Sequence, residues 1–160
     1  MSVRKKFTAL LFEEMAINED IVLIVGDLGY KHFDELRLLY SDRFFNVGAA
    51  EQLMVGTGVG MALEGKIPIC YSMTPFAIYR PFEIIRNYME RDQIPVKILG
   101  AGRGKDYDWL GWSHWAVDDA DHMSGFKNIK KVWPEDAEAM EKIFKDIIYD
   151  KSPYYVNLSR

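Results

Sequence analysis

The sequence has a single cysteine, Cys70. No disulfide can staple the chain, and a reducing, cytoplasmic setting is expected. It has no apolar run near the ~20 residues needed to cross a bilayer, so no membrane role is expected. It has no basic surplus: 20 Lys and Arg against 24 Asp and Glu leave a formal charge of -4. Nucleic-acid surfaces are built on basic stripes, which this composition argues against. The N-terminal stretch starts basic but soon meets Glu13 and Glu14 and lacks a small-residue cleavage site, which argues against a signal peptide. There is no linker, repeat or low-complexity tract, so the 160 residues are expected to form one domain. The three histidines, His32, His114 and His122, lie on separate segments, and the last two stand eight apart, no usual zinc spacing. No metal site is therefore expected in this chain.

What is present is an alternation of helical and strand signals. Phe7–Ala16 has helical periodicity, and Ile21–Val25 (IVLIV) is a β-branched run that reads as a strand buried on both faces. A helix is expected over His32–Ser41, a strand over Phe44–Val47, a helix over Ala49–Leu63 and a strand over Ile67–Tyr71. A helix near Arg80–Glu90, a strand at Val96–Leu99, a weak helix at Asp118–Met123 and a strand at Ile129–Val132 follow. Trp133-Pro134-Glu135-Asp136 opens a last helix running through Ile148, and Tyr154–Leu158 closes as a strand. About six strands separated by helices predict a doubly wound, mostly parallel α/β sheet with helices on both faces. Ligands of such sheets bind beyond the carboxyl ends of the strands. This directs attention to Gly26–Tyr30, Gly48–Glu51, Ser72–Arg80 and Gly100–His114.

The glycine-rich loop GAGRGK at Gly100–Lys105 fits neither nucleotide pattern. Leu99 stands where a Walker loop needs its first glycine, and Asp106 follows the lysine where Ser or Thr is required. It reads instead as a flexible, glycine-rich site loop. No G-x-S-x-G elbow supports a serine hydrolase. In GWSHW, His114 follows that loop and a crowd of tryptophans, three of the chain's four lying between Trp109 and Trp115; a structural and a functional role are both open to it. Phe76 and Tyr79, three apart beyond a strand, read by type as core more than ligand-binding residues, though the polar tip of Tyr79 suits a pocket edge.

The segment FNVGAAEQLMVGTGVGMALEG places Glu51 at the head of a helix of small residues. A carboxylate there gains from the helix dipole, but burying one is costly unless something pairs with it. Glycine within a helix costs about 0.5–1 kcal/mol relative to alanine. A helix carrying Gly56, Gly58 and Gly60 is therefore expected to be closely packed, admitting another backbone or helix.

These residues resemble the pyrimidine-binding domain of the transketolase group of thiamine-diphosphate enzymes, whose pattern runs x-N-x-G-I-A-E-Q, then small residues, a strand and a T-F-x-x-F aromatic turn. Gly26-Asp27-Leu28-Gly29 resembles the group's A-D-L, GWSHWAVDDADHM its G-x-T-H-Q-x-x-E-D-x-x-x-M, and NIKKVWPEDAEAMEKIF its N-x-x-V-x-x-P-A-D-x-x-E. The resemblance runs from about residue 5 to 160. It implies that Glu51 hydrogen-bonds N1′ of the aminopyrimidine and thereby activates the cofactor. A carboxyl in an apolar pocket, which titrates high, would suit that task. It further implies that Phe76 and Tyr79 pack on the aminopyrimidine, that Asp27 and Gly48 border the cofactor, and that His114 faces substrate hydroxyls, with Asp108 and Arg80 also toward substrate.

Departures accompany the match. Pro75 stands where an aromatic is usual, and Leu110 where an aspartate contacts a sugar hydroxyl; Asp108 is its nearest substitute. Trp109, Trp112 and Trp115 would narrow the substrate mouth or meet a partner. The G-D-G…N motif that binds diphosphate and Mg²⁺ is absent, as is the group's C-terminal domain. The resemblance thus implies a split enzyme, active only with a partner subunit that carries the G-D-G…N motif and the magnesium, in an α2β2 assembly. The expected reaction is transfer of a ketol unit, two carbons in size, from a ketose phosphate to an aldehyde. Alternatives are a β-type subunit of a 2-oxoacid dehydrogenase or decarboxylase, a deoxyxylulose-phosphate-synthase-like enzyme, or a non-catalytic regulatory module of the same fold.

Overall fold

In a computed structural model describing residues 1–160, six strands form one sheet: β1 (Ile21–Val25), β2 (Phe44–Asn46), β3 (Ile67–Met73), β4 (Lys97–Ala101), β5 (Lys130–Val132) and β6 (Tyr154–Leu158). Their order is β2-β1-β3-β4-β6-β5, and every pairing is parallel, so the sheet is wholly rather than mostly parallel. The four central strands are apolar runs because both faces are covered. The edges, β2 and β5, are three residues each and partly exposed, which limits edge-to-edge pairing.

Alternation along the strands sorts side chains into two cores. Ile21, Leu23, Val25, Tyr71, Leu99 and Val156 face α1 (Val3–Ile17), α2 (Asp34–Leu39) and α7 (Ala137–Tyr149). Val22, Ile24, Cys70, Ile98 and Tyr155 face α3 (Glu51–Leu63), α4 (Thr74–Tyr79), α5 (Phe82–Ile84) with its π-helical continuation (Ile85–Arg91), and α6 (Asp119–Ser124). No helix is long and apolar enough to cross a membrane.

Several boundaries differ from expectation. The second helix shrinks to Asp34–Leu39 because Gly29 and Lys31 take positive φ and hold the preceding residues in a turn. Ser72–Tyr79 is no loop: the strand runs on to Met73, and α4 starts at Thr74 with Pro75 in its first turn, a position that costs proline nothing. The expected Arg80–Glu90 helix breaks at Pro81 and resumes as α5. The last helix begins at Ala137, where Asp136 caps it by accepting from the Ala139 N–H at 2.8 Å.

The small-residue helix is packed on one side only. Gly58 lies so close to β3 that a Cβ would stand 2.8 Å from Cys70 Sγ. Gly56 and Gly60 face outward: a Cβ at Gly56 would meet only Ile84, at 3.5 Å, and one at Gly60 would meet nothing. Leu53 and Leu63 are exposed beside them.

Candidate active site

Chain connections leave β1 toward β2 on one side and cross back to β3 on the other, so the carboxyl ends of β1 and β3 bound a topological switch point. Gly26 follows β1, Ser72 lies near the end of β3, and Glu51 opens α3 above them. Glu51 is 1% exposed. Its Oε1 accepts from Ser72 Oγ at 2.8 Å and its Oε2 from an Arg80 guanidinium N–H at 2.6 Å. A Cβ on Gly26 would lie 3.1 Å from Glu51 Oε1 and 3.0 Å from Ser72 Oγ. The glycine therefore makes the room in which this carboxylate sits. A cation, Arg80, faces the acid there.

Arg80 follows α4, the helix that carries Phe76. Its guanidinium lies over the Phe76 ring, 3.9 Å from the centroid, while the side chain stays 44% exposed. The Phe76 ring in turn meets His114 edge-on, with centroids 4.9 Å apart. His114 closes a short 3-10 turn (Trp112–His114) behind Gly111, whose φ of 77° favours glycine, and its Nδ1 lies 3.0 Å from Ser113 Oγ. Glu51, Arg80, Phe76 and His114 are thus joined in one run of contacts across three segments. Glu51 and Arg80 also line a cleft of about 750 Å³, together with Ala50, Leu53, Gly56 and Thr57.

The remaining candidates stand outside that run of contacts. Tyr79 packs against His122, 4.4 Å between centroids, with Phe82 and Phe126 around that histidine. Burial, then Asp118, pushes the Tyr79 phenol up, and burial pushes the His122 imidazole down. Asp27, at φ 52°, accepts from the Tyr30 hydroxyl at 2.6 Å, and its own N–H donates to Asn46 Oδ1. That same amide oxygen accepts from the Gly48 N–H at 2.9 Å, so Asn46 ties the loops after β1 and β2 together. The carbonyl of Asp108 accepts from the Trp115 indole at 3.3 Å, on the rim near His114. Trp109 and Trp112 are 64% and 69% exposed beside it.

Ser72, Asn46 and Gly26 were not singled out from sequence. Ser72 had a usable signal, being a hydroxyl within the apolar run IPICYSM, where a buried polar group needs a partner. Asn46 and Gly26 lie inside the matched patterns x-N-x-G-I-A-E-Q and Gly26-Asp27-Leu28-Gly29, but neither pattern by itself assigns them a contact.

The glycine-rich loop is pinned rather than open. Arg103 donates to the Asn157 side chain and backbone and to the Pro134 carbonyl. Asn157 in turn bonds Asp119, whose carboxylate also accepts from Tyr155 at 2.6 Å and Trp133 at 2.8 Å.

Residues 1–160 match the family model described as the transketolase pyrimidine-binding domain. One of the subunits of an apulose-4-phosphate transketolase from Phocaeicola vulgatus is 30% identical over 161 aligned positions, covering 100% of this chain and 52% of that protein. The like-named protein from Actinobacillus succinogenes is 34% identical over 119 residues, 74% of this chain and 38% of the other. Among solved structures, a split-gene transketolase described as an inactive β4 tetramer superimposes with a TM-score of 0.86 at 31% identity, over 100% of this chain and 51% of that one. The chain spans about half the length, or less, of these relatives.

Proposed function

The chain belongs to the transketolase pyrimidine-binding domain family, and from that premise we propose that it forms the cofactor-activating part of a thiamine-diphosphate-dependent, transketolase-like transferase. The observation that carries this is the buried Glu51 carboxylate at the switch point with the flat Phe76 ring nearby, both in contact with Arg80. The residues fit an aminopyrimidine: a ring to stack on, a carboxylate oxygen for a ring nitrogen, and the open cleft that Glu51 and Arg80 line. The chemistry such a cofactor supplies when bound is cleavage and transfer at the carbon next to a carbonyl. In this reading Glu51 holds a proton at Oε2 for the ring nitrogen, and Ser72 orients the acid through Oε1. Phe76 supplies the stacking face, Tyr79 borders it, and Asp27 and Gly48 shape the loops at the cofactor's edge. His114 moves protons on substrate hydroxyls, with Asp108 and Arg80 binding the substrate's polar groups. Trp109 and Trp112 narrow its entrance.

The diphosphate and Mg²⁺ would be held by a partner subunit carrying the G-D-G…N motif, in an α2β2 assembly. Support comes from the names of the relatives, which call them a transketolase subunit and a split-gene transketolase. The outward face of α3 adds to it, since Leu53, Gly56 and Gly60 leave room there for another surface. The donor would be a ketose phosphate yielding a two-carbon unit to an aldehyde. The test is Glu51→Gln in the assembled enzyme. Turnover should fall roughly 10²–10⁴-fold, the range for lost proton-transfer catalysis, with partner binding unchanged. Unaltered turnover in an intact assembly would overturn the reading, and carbon dioxide release from a 2-oxoacid in place of ketose cleavage would move the assignment to the decarboxylating relatives.

A further inference from the structure

Arg80 is placed as a flat, cationic donor lying 3.9 Å over the Phe76 ring, with one N–H on Glu51 Oε2 at 2.6 Å. Those are the contacts that the proposed function gives to an aminopyrimidine: a planar π-system against Phe76 and an N–H edge on Glu51. We propose that the Arg80 guanidinium is an internal stand-in for the cofactor's aminopyrimidine, occupying its place in the unloaded chain and leaving when the cofactor binds. This rests on the reading of the site as a thiamine-diphosphate site.

Physical reasons favour such a device. Glu51 is 1% exposed, and an ionised carboxylate in that position without a partner is costly. Ser72 supplies one neutral donor to Oε1 but nothing to Oε2. Arg80 is the cation bonded to Oε2, and planar guanidinium suits both the carboxylate and the aromatic face in a way that ammonium does not. One ring face stacks one planar group at a time, so arginine and aminopyrimidine exclude each other there. The guanidinium is also free to leave: Arg80 is the residue after α4, its side chain is 44% exposed, and the cleft beside it is open to solvent. Arg80 has no protein acceptor other than Glu51. Once displaced, it stands at the rim, where it can serve an anionic substrate.

The occluded state is a population tax on binding: apparent affinity falls by the fraction of chains in which the place is open. The experiment measures binding of thiamine and of thiamine diphosphate with Mg²⁺, by calorimetry and tryptophan fluorescence, to the full chain and to its assembly. Arg80→Ala should bind thiamine roughly tenfold more tightly than wild type, as follows if the arginine holds the place about nine-tenths of the time. Arg80→Lys should fall between, since it keeps the charge but cannot stack. Guanidinium at sub-denaturing concentration should compete with thiamine and raise the melting midpoint of Arg80→Ala without either effect on wild type. Unchanged or weaker thiamine binding by both variants would overturn the proposal, making Arg80 a bystander or a ligand. If removal of the arginine unfolds the chain, Arg80→Lys with guanidinium competition carries the same test, and no competition would overturn it. Glu51→Ala made in the Arg80→Ala background separates this from the underlying reading. If that double variant binds thiamine diphosphate as well as Arg80→Ala does, the cofactor site itself is misassigned. If it binds more weakly while Arg80→Ala shows no gain, only the stand-in fails.

Discussion

Two crevices open at the carboxyl edge of the same sheet, and they are treated in opposite ways. Between β4 and β6 the space is filled with this chain's own polar side chains. Arg103, Asn157, Asp119, Tyr155 and Trp133 bond one another, and the Thr74 hydroxyl donates to the Gly102 carbonyl at 2.7 Å. Between β1 and β3 a comparable acid, Glu51, has two donors, one of them on a half-exposed arginine beside an open cleft. Helix α4 joins the two: Thr74 at its start belongs to the filled crevice, and Arg80 just past its end to the open one. A buried carboxylate bonded entirely by internal, well-packed groups is architecture. One whose partner can swing into solvent is available for exchange. Burial alone does not distinguish them, since Asp119 is 5% exposed and Glu51 1%.

The comparison can be broken from either side. The largest effect on stability is expected from Asp119→Ala, which strands the Trp133, Tyr155 and Asn157 donors. Each buried unsatisfied group costs about 1–3 kcal/mol, so a loss near 3 kcal/mol is expected in denaturant unfolding, with thiamine-diphosphate affinity of the surviving fold little changed. A loss below about 1 kcal/mol would remove the distinction between the crevices. Gly26→Ala should do the reverse. Its Cβ would press on Ser72 Oγ and Glu51 Oε1, displacing the acid and lowering turnover well before it lowers the midpoint. Equal losses of both would show that this crevice is structural too. Ser72→Ala removes one hydrogen bond to the acid, worth about 1–3 kcal/mol, and should weaken cofactor binding about tenfold while lowering the midpoint no more than Asp119→Ala does.

A separate effect lies at the opposite, amino end of the sheet, where it serves as a control. Burial lowers the Lys97 ammonium to about 8 from an ordinary 10.5, against the pull of Asp150. The unfolded chain therefore binds more protons than the folded one between those values, and stability should rise with pH across that window by at most about 1.4 kcal/mol per pH unit. Lys97→Met should flatten the slope while leaving both carboxyl-edge crevices untouched. A slope that survives this change would have to come from another group.

The strands were readable because a strand covered on both faces must be a short, unbroken apolar run, and IVLIV was placed to the residue. Asn157 and Ser72 are each a lone polar residue in such a run, a pattern that goes with a buried network but names no partner. Helix α4 was not readable. Its six residues are too few to show a helical face, and Thr74-Pro75 resembles a turn as much as a helix start. Nor could sequence tell that Tyr79 would meet His122 while Phe76 met Arg80 and His114, since that depends on how α4 rotates on the sheet.

The sequence by itself determined the α/β class, the two-sided cores and the place of Glu51 at a helix start, because these follow from local periodicity and from the cost of burying charge. Only the tertiary structure decided that α3 keeps one side open and that Arg80, rather than Arg86 on the same segment, reaches the acid. It also decided which of the two crevices this chain fills for itself. Those outcomes depend on distances between segments far apart in sequence, and no local pattern encodes them.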